Sequence, residues 1–68
     1  MEKYSLIGVS GNAYAIMGYV IRCMRNERCT KEEIDNYLSD ATSSDYDHLL
    51  CVSSDMVEQL NEKAENYD

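Results

Sequence analysis

Residues 11–29, GNAYAIMGYVIRCMRNERC, decide the fold expected for this chain. The Gly-Asn opening is suited to the start of a helix, and no proline interrupts the stretch. Apolar residues recur at three- and four-residue steps, which is the spacing of one helix face. The stripe consists of Ala13, Ile16, Met17, Val20 and Met24. We therefore predict a helix over residues 12–28.

This helix also carries apolar residues outside the stripe, namely Tyr14, Tyr19, Ile21 and Cys23. A helix that is apolar on nearly all sides must be surrounded, and a chain of 68 residues buries only about 60% of its unfolded surface. Gly18, at mid-helix, either marks the close approach of another backbone or is a tolerated defect that costs about 1 kcal/mol. We predict that the protein associates with itself, as a homodimer or a higher oligomer.

Residues 4–10, YSLIGVS, are rich in β-forming side chains and end at a glycine, so they predict a short strand. A lone strand leaves its backbone groups unpaired, and pairing with the same strand of another copy would satisfy them. The fold class expected is therefore α+β, one N-terminal strand followed by three helices in a small single domain. The residues expected at the subunit interface are Tyr4, Ile7, Tyr14, Gly18, Tyr19 and Ile21.

Thr30-Lys-Glu-Glu33 has the form of a capping box and predicts a helix over residues 31–41. Its buried stripe is Ile34, Tyr37, Leu38 and Ala41.

A third helix is predicted over residues 45–63, with Ser43 or Ser44 as its cap. Residues 53–55, Ser-Ser-Asp, interrupt its apolar pattern and either kink or restart it, and residues 65–68 are expected to fray. Its inward side chains are expected to be Tyr46, Leu49, Leu50, Val57, Leu60 and Ala64.

The net charge of −7 is unevenly distributed, because residues 1–31 are net basic and residues 32–68 carry eleven acids against Lys63 alone. General nucleic-acid binding is not expected, because phosphate contacts dominate that affinity and an acidic protein repels phosphates. The three cysteines, an odd number without a secretion signal, indicate reduced thiols and a cytoplasmic location. No apolar run approaches the roughly 20 residues of a membrane span.

Asp45, Asp47 and His48 form the cluster that most resembles an active site. Acids at a helix N-terminus stabilise the helix dipole, however, and no nucleophile or phosphate loop accompanies them. Cys23, Cys29, His48 and Cys51 lack the close pairing of a structural zinc site. We therefore expect no catalytic residues, no metal, no cofactor and no enzymatic activity.

Arg22, Arg25 and Arg28, with Lys31 nearby, are the only concentration of positive charge. Guanidinium groups bind the phosphates of a nucleotide well, so these arginines are candidate ligand-binding residues at a subunit interface. The alternative is that they complement the helix dipole and pair with acids of a neighbouring chain. The chain has six tyrosines and no Phe or Trp. Tyrosine is typical of partly solvated surfaces such as interfaces and clefts, although ordinary core edges account for at least half of the six.

Three segments of the chain, GNAYAIMG from Gly11, KEEID from Lys31 and SDATSSDYDHLL from Ser39, resemble a family of small proteins recurrent in phage and mobile-element genomes. The family pattern reads GNAF, IMG, EEI and EATSGDYDHLL, with Tyr14 here in place of Phe and Ser44 in place of Gly. The resemblance implies a phage accessory protein, and by analogy one that antagonises host defences.

The function expected from the sequence is a non-enzymatic, homo-oligomeric binder that neutralises a host defence factor. Two alternatives stay open. One is a sponge that sequesters a nucleotide immune signal, and the other is an acidic mimic of DNA formed by residues 32–68.

Overall fold

The computed structural model describes residues 2–65, which form three helices: α1 (Ala13–Asn26), α2 (Lys31–Ala41) and α3 (Tyr46–Glu65). The longest helix, α3, packs against both of the others. No strand is present in the described part of the chain, so the fold is all-α. The predicted α+β class, with a strand over residues 4–10 paired between subunits, is wrong. None of the three helices is long and apolar enough to cross a membrane.

Residues 4–10 lie against α1 and α3 as an irregular segment, because side chains of the helices satisfy its backbone. The side-chain oxygen of Asn61 accepts from the Tyr4 amide at 2.7 Å, and the Asn61 amide donates to the Tyr4 carbonyl at 2.9 Å. The Ser5 amide donates to the Tyr19 hydroxyl at 2.9 Å. A tight turn follows, with Gly8 at φ 89°. The backbone partners expected from a second copy are thus supplied within the chain.

Helix α1 starts and stops through local hydrogen bonds. Asn12 caps its N-terminus and accepts from the Tyr14 amide at 2.8 Å. At the other end the Arg28 amide donates to the Arg25 carbonyl and the Cys29 amide to the Met24 carbonyl, which is a Schellman motif. Arg28 occupies the left-handed position of that motif, at φ 63°, where glycine is the usual residue. The helix therefore ends at Asn26, two residues earlier than predicted.

Helix α2 has the bounds expected from its sequence, and the capping box between Thr30 and Glu33 is present. Asp45 caps α3, because the Asp45 carboxylate accepts from the His48 amide at 2.9 Å. The cap is therefore neither Ser43 nor Ser44, the two residues predicted for it. Helix α3 is continuous through residues 53–55, where a kink or restart was predicted. Ser53 faces the core there and shares a hydrogen bond of 2.6 Å with the Tyr37 hydroxyl.

The core lies between the three helices, and every buried polar side-chain atom in it has a hydrogen-bond partner. The inner face of α1 is fully covered by its own chain, with Val20 and Met24 inaccessible to solvent. The need for a second copy to shelter this helix, inferred from its composition, is therefore smaller than expected. The buried apolar residues are Tyr4, Ile16, Val20, Cys23, Met24, Ile34, Tyr37, Ala41, Leu49, Val57 and Leu60.

Candidate functional site

The side of α1 that points away from the core carries an exposed stripe, which we call the outer face. It consists of Tyr14, Gly18, Arg22 and Arg25, all exposed. At 100° per residue these four positions fall within an arc of about 80° on the helix. The half-buried side chains of Met17 and Ile21 border the stripe toward the core. One helix thus presents an aromatic ring, a gap and two guanidinium groups on a single surface.

Tyr14 differs from the other tyrosines of residues 2–65. The hydroxyls of Tyr4, Tyr19, Tyr37 and Tyr46 each have a hydrogen-bond partner in the chain. Tyr14 is 80% exposed, and its hydroxyl has no partner in this part of the chain. A tyrosine ring and hydroxyl left open in this way are typical of residues that contact a partner.

Gly18 lies on an open part of the α1 surface. A Cβ placed on it would meet nothing within 4 Å, and its backbone has no positive φ that would require glycine. Glycine in a helix interior costs about 1 kcal/mol relative to alanine, and no contact among the described residues compensates for that cost. The open space is compatible with both interpretations of Gly18, a tolerated defect and the close approach of another molecule.

The arginines predicted as one group are divided between two surfaces. Arg22 and Arg25 lie on the outer face of α1, whereas Arg28 lines a separate depression with Lys3 and Lys63. The ion pairs within residues 2–65 are Lys3–Glu27 and His48–Asp40, so none of the three arginines has a carboxylate partner there. Their pairing with acids of a neighbouring chain, the alternative expected from the sequence, stays a prediction.

The second surface, which we call the basic cleft, is a depression of about 300 Å³ lined by Lys3, Asn26, Glu27, Arg28 and Lys63. Glu27 is its only acid, and this side chain is only 10% exposed. The Tyr4 hydroxyl donates to the Glu27 carboxylate, and Lys3 Nζ lies 3.0 Å from it. These two hydrogen bonds, in that order of importance, hold the pKa of Glu27 below its ordinary value.

The acidic residues form a third surface, on the side of α3 opposite its buried positions. Asp47, Asp55, Glu58, Glu62 and Glu65 are all exposed and fall within an arc of about 80° on the helix. With Glu2 and Leu6, several of them border a cavity of about 450 Å³. The predicted DNA mimicry would depend on this ridge.

The cluster that most resembled an active site is part of the turn between α2 and α3. Asp45 is the helix cap, and the His48 ring lies 2.9 Å from the Asp40 carbonyl and 3.1 Å from the Asp40 carboxylate. Asp47 is not among the hydrogen-bond partners of His48. His48 thus binds the C-terminal end of α2 and closes the turn.

The three thiols lie in different environments, with Cys23 buried, Cys29 half-buried and Cys51 exposed. No group of three metal-binding side chains occurs within residues 2–65, so Cys23, Cys29, His48 and Cys51 are not brought together. Burial raises the pKa of the Cys23 thiol, which lowers the fraction of reactive thiolate at neutral pH.

The six residues expected at a subunit interface fall into three groups. Tyr4 is buried in its own chain, and Tyr19 and Ile21 are half-buried. Ile7, at 93% exposed on the N-terminal turn, joins Tyr14 and Gly18 as the members open to contact with another molecule. Tyr67, which was considered with the other tyrosines, lies outside the described residues, as does most of the predicted frayed tail.

Four important residues were missed from the sequence: Asn61, Ser53, Lys3 and Lys63. A signal for two of them existed, because Ser53 and Asn61 lie four residues on either side of Val57 and so share its buried face. The spacing was overlooked because both side chains are polar and buried positions are expected to be apolar. Lys3 and Lys63 are sixty residues apart in the chain, and only the packing of residues 2–5 against α1 and α3 brings them to Arg28.

Comparison with known proteins identifies no relative: no family model matches the chain, and no curated protein or solved structure is significantly similar to it.

Proposed function

We propose that this protein is a small, non-enzymatic binding protein of the accessory type found in phages, and that it neutralises a host defence factor by occupying its surface. The resemblance of its sequence to a phage protein family supports the context. The observation that carries the proposal is Tyr14, which is 80% exposed, has no hydrogen-bond partner for its hydroxyl within residues 2–65, and lies beside Gly18 on the outer face of α1.

The outer face has the features of a docking surface for a helix or loop of another protein. Tyr14 offers a large rigid ring, and Gly18 lets a partner backbone come close to α1. A depression of about 280 Å³ begins beside the same helix at Ala13 and Met17, with Leu49 and Tyr46 also in its lining. An apolar side chain of the partner can insert there.

The charges of the outer face select a partner with carboxylates. Arg22 and Arg25 are exposed and have no acidic partner in residues 2–65. The remainder of the protein is strongly acidic, so a partner that is acidic throughout would be repelled. The expected partner is therefore a protein with a local acidic patch next to an apolar residue, and its association should weaken as salt is raised.

The test is capture of host proteins by the purified chain, compared between variants of equal stability. Two variants of the outer face should abolish both the capture of any specific partner and the counter-defence phenotype in expressing cells. One is Tyr14→Ser, and the other combines Arg22→Glu with Arg25→Glu. Gly18→Leu should do the same, because leucine is a good helix former whose side chain fills the gap.

The control is Gln59→Ala, an exposed substitution on α3 that should leave both capture and phenotype unchanged. Circular dichroism would verify that each variant is folded. Capture that survives all the outer-face substitutions, or a phenotype that depends on α3 alone, would contradict this proposal.

The nucleotide sponge is a second candidate, and it is favoured by arginines that have no carboxylate partner within residues 2–65. For this candidate we propose a homodimer or higher oligomer. Two outer faces that meet across a twofold axis would bring Arg22 and Arg25 of both copies together, and like charges oppose such pairing unless an anion lies between them. Light scattering with and without cyclic nucleotides tests this idea. A mass that doubles only in the presence of nucleotide supports it, and a mass that nucleotide does not change ends it.

A further inference from the structure

The basic cleft brings together three cations from three separate parts of the chain. Lys3 belongs to the N-terminal segment, Arg28 to the turn after α1, and Lys63 to the last part of α3. The chain has only six lysines and arginines against thirteen acids, so three cations around one depression is a concentration that composition does not predict. None of the outer-face residues lines this cleft, so it is a separate surface.

The single acid in the cleft does not neutralise it. Glu27 is occupied by Lys3 and the Tyr4 hydroxyl, and its side chain is largely buried. Arg28 and Lys63 are exposed, and neither has an ion-pair partner within residues 2–65. Arg28 and Lys63 therefore face the cleft without a direct ion pair in this part of the chain, while the carboxylates of Glu27 and Glu33 lie near enough to Lys63 for its charge to contribute to their lowered pKa values.

The backbone of Arg28 is a second, independent observation. Its φ of 63° lies in the left-handed region, where glycine is the favoured residue after a helix. An arginine is less favourable for this backbone than a glycine, which is consistent with a role of its side chain outside the fold. Residues held in unfavourable backbone conformations often lie at functional sites.

We propose that the basic cleft binds a phosphate monoester, the group shared by mononucleotides and sugar phosphates. The guanidinium of Arg28 is suited to two phosphate oxygens at once, and Lys63 supplies a second point charge. A monoester carries up to two negative charges near neutral pH, which suits two cations, Arg28 and Lys63, better than the single charge of a diester. A depression of about 300 Å³ is at the lower limit of ligand pockets, so a small ligand is expected.

The test is an NMR titration of the full chain, labelled with ¹⁵N, with inorganic phosphate, ribose 5-phosphate, AMP and cyclic AMP. The first three should shift the amides around Lys3, Arg28 and Lys63, and cyclic AMP should bind more weakly. Inorganic phosphate that binds as well as AMP identifies the phosphate as the recognised group. Tighter binding of ribose 5-phosphate than of inorganic phosphate identifies a sugar phosphate, and tighter binding of AMP than of both identifies a mononucleotide.

The decisive variant is Arg28→Gly, because glycine suits the backbone at that position. It should melt at the same temperature as the wild type or higher, yet bind the monoesters about tenfold more weakly, as expected from the loss of a charge-assisted hydrogen bond. Lys63→Gln should weaken binding similarly. Lys31→Gln, which removes an exposed charge outside the cleft, should leave the affinity within about twofold of the wild type.

Three results would overturn the proposal. They are no shift at the cleft amides with any monoester, an equal loss of affinity in Lys31→Gln and Arg28→Gly, and binding of cyclic AMP as tight as that of AMP. None of these depends on Tyr14 or Gly18, so the docking surface on α1 and the basic cleft can fail separately.

Discussion

The inner face of α3 and the outer face of α1 depart from the usual pattern in opposite ways. The inner face of α3 buries two polar residues, Ser53 and Asn61, and both are fully hydrogen-bonded within the chain. The outer face of α1 exposes Tyr14, and Gly18 beside it contacts nothing. The buried polar side chains therefore stabilise the fold of this protein, whereas the exposed ring of Tyr14 and the absence of a side chain at Gly18 do not.

This contrast separates structural residues from candidate functional ones. A buried polar group without a partner costs 1–3 kcal/mol, so Ser53 and Asn61 are tolerated only because the fold provides partners for them. An exposed tyrosine or a mid-helix glycine has no such internal compensation. Substitutions at both kinds of position test this distinction, beginning with the one expected to change stability most.

Asn61→Ala should cause the largest loss, about 3 kcal/mol in the free energy of unfolding. The substitution leaves both the amide and the carbonyl of Tyr4 without partners in a buried place. Urea denaturation followed by circular dichroism measures it, with the exposed Gln59→Ala expected within about 0.5 kcal/mol of the wild type. Equal stability of the two variants would show that the N-terminal segment is not held by Asn61.

Tyr37→Phe and Ser53→Ala should each cost about 1–2 kcal/mol, since each leaves the other hydroxyl buried and unpaired. The double variant should lose less than the two single losses together, with a coupling of about 1 kcal/mol. A double-mutant cycle in urea checks this. Additive losses would mean that the 2.6 Å hydrogen bond contributes no interaction energy of its own.

Gly18→Ala and Gly8→Ala should change stability by about 1 kcal/mol in opposite directions. A Cβ meets nothing within 4 Å at either position, so the difference comes from the backbone alone. Alanine favours the helix at Gly18 and is strained at Gly8, where φ is 89°. Thermal melting measures both shifts. A destabilised Gly18→Ala monomer would remove the reason to assign Gly18 to a partner.

Glu27 should make stability depend on pH in the acid range. Its pKa is lowered in the folded state by the hydrogen bonds from Tyr4 and Lys3, so its contribution is present above the unfolded pKa of about 4.3 and is lost as the pH falls through the folded pKa. The stability gap between wild type and Glu27→Gln should therefore narrow from neutral to acid pH in urea titrations. Gln59→Ala, an exposed substitution on α3 that removes no titratable group, should show a nearly constant gap.

Tyr14→Ser should have the smallest effect, within about 0.5 kcal/mol of the wild type. The ring is exposed and its hydroxyl has no partner in the described residues, so the fold loses little. Urea denaturation gives the stability, and the capture assay gives the function. A loss comparable to that of Tyr37→Phe would mean that Tyr14 is part of the core and would remove it from the docking surface.

Much of the helical structure could be predicted from local sequence. The capping box at Thr30 and the stripe ending at Ala41 predicted the bounds of α2, and Gly11-Asn12 predicted the start of α1. These signals are local, because a cap needs only residues three positions apart. The end of α1 was missed since an arginine, and no glycine, occupies its left-handed position.

The strand was predicted wrongly because β-forming residues indicate only an extended, half-buried chain. Whether such a segment forms a strand depends on its hydrogen-bond partners. Here Asn61 and Tyr19 supply them, from positions 57 and 14 residues away in the chain. The candidate sites show the same limit, since the three arginines were predicted together but Arg28 belongs with Lys3 and Lys63.

Local patterns were sufficient to predict the three helices, the caps at Asn12 and Thr30, the charge asymmetry and the apolar stripe of α1, because each depends on residues within a few turns of one another. Three features became apparent only from the packing of the helices. Residues 4–10 do not form a strand, Ser53 and Asn61 are core residues, and Lys3, Arg28 and Lys63 share a cleft. These features depend on contacts between residues far apart in the chain, and local patterns carry no information about such contacts.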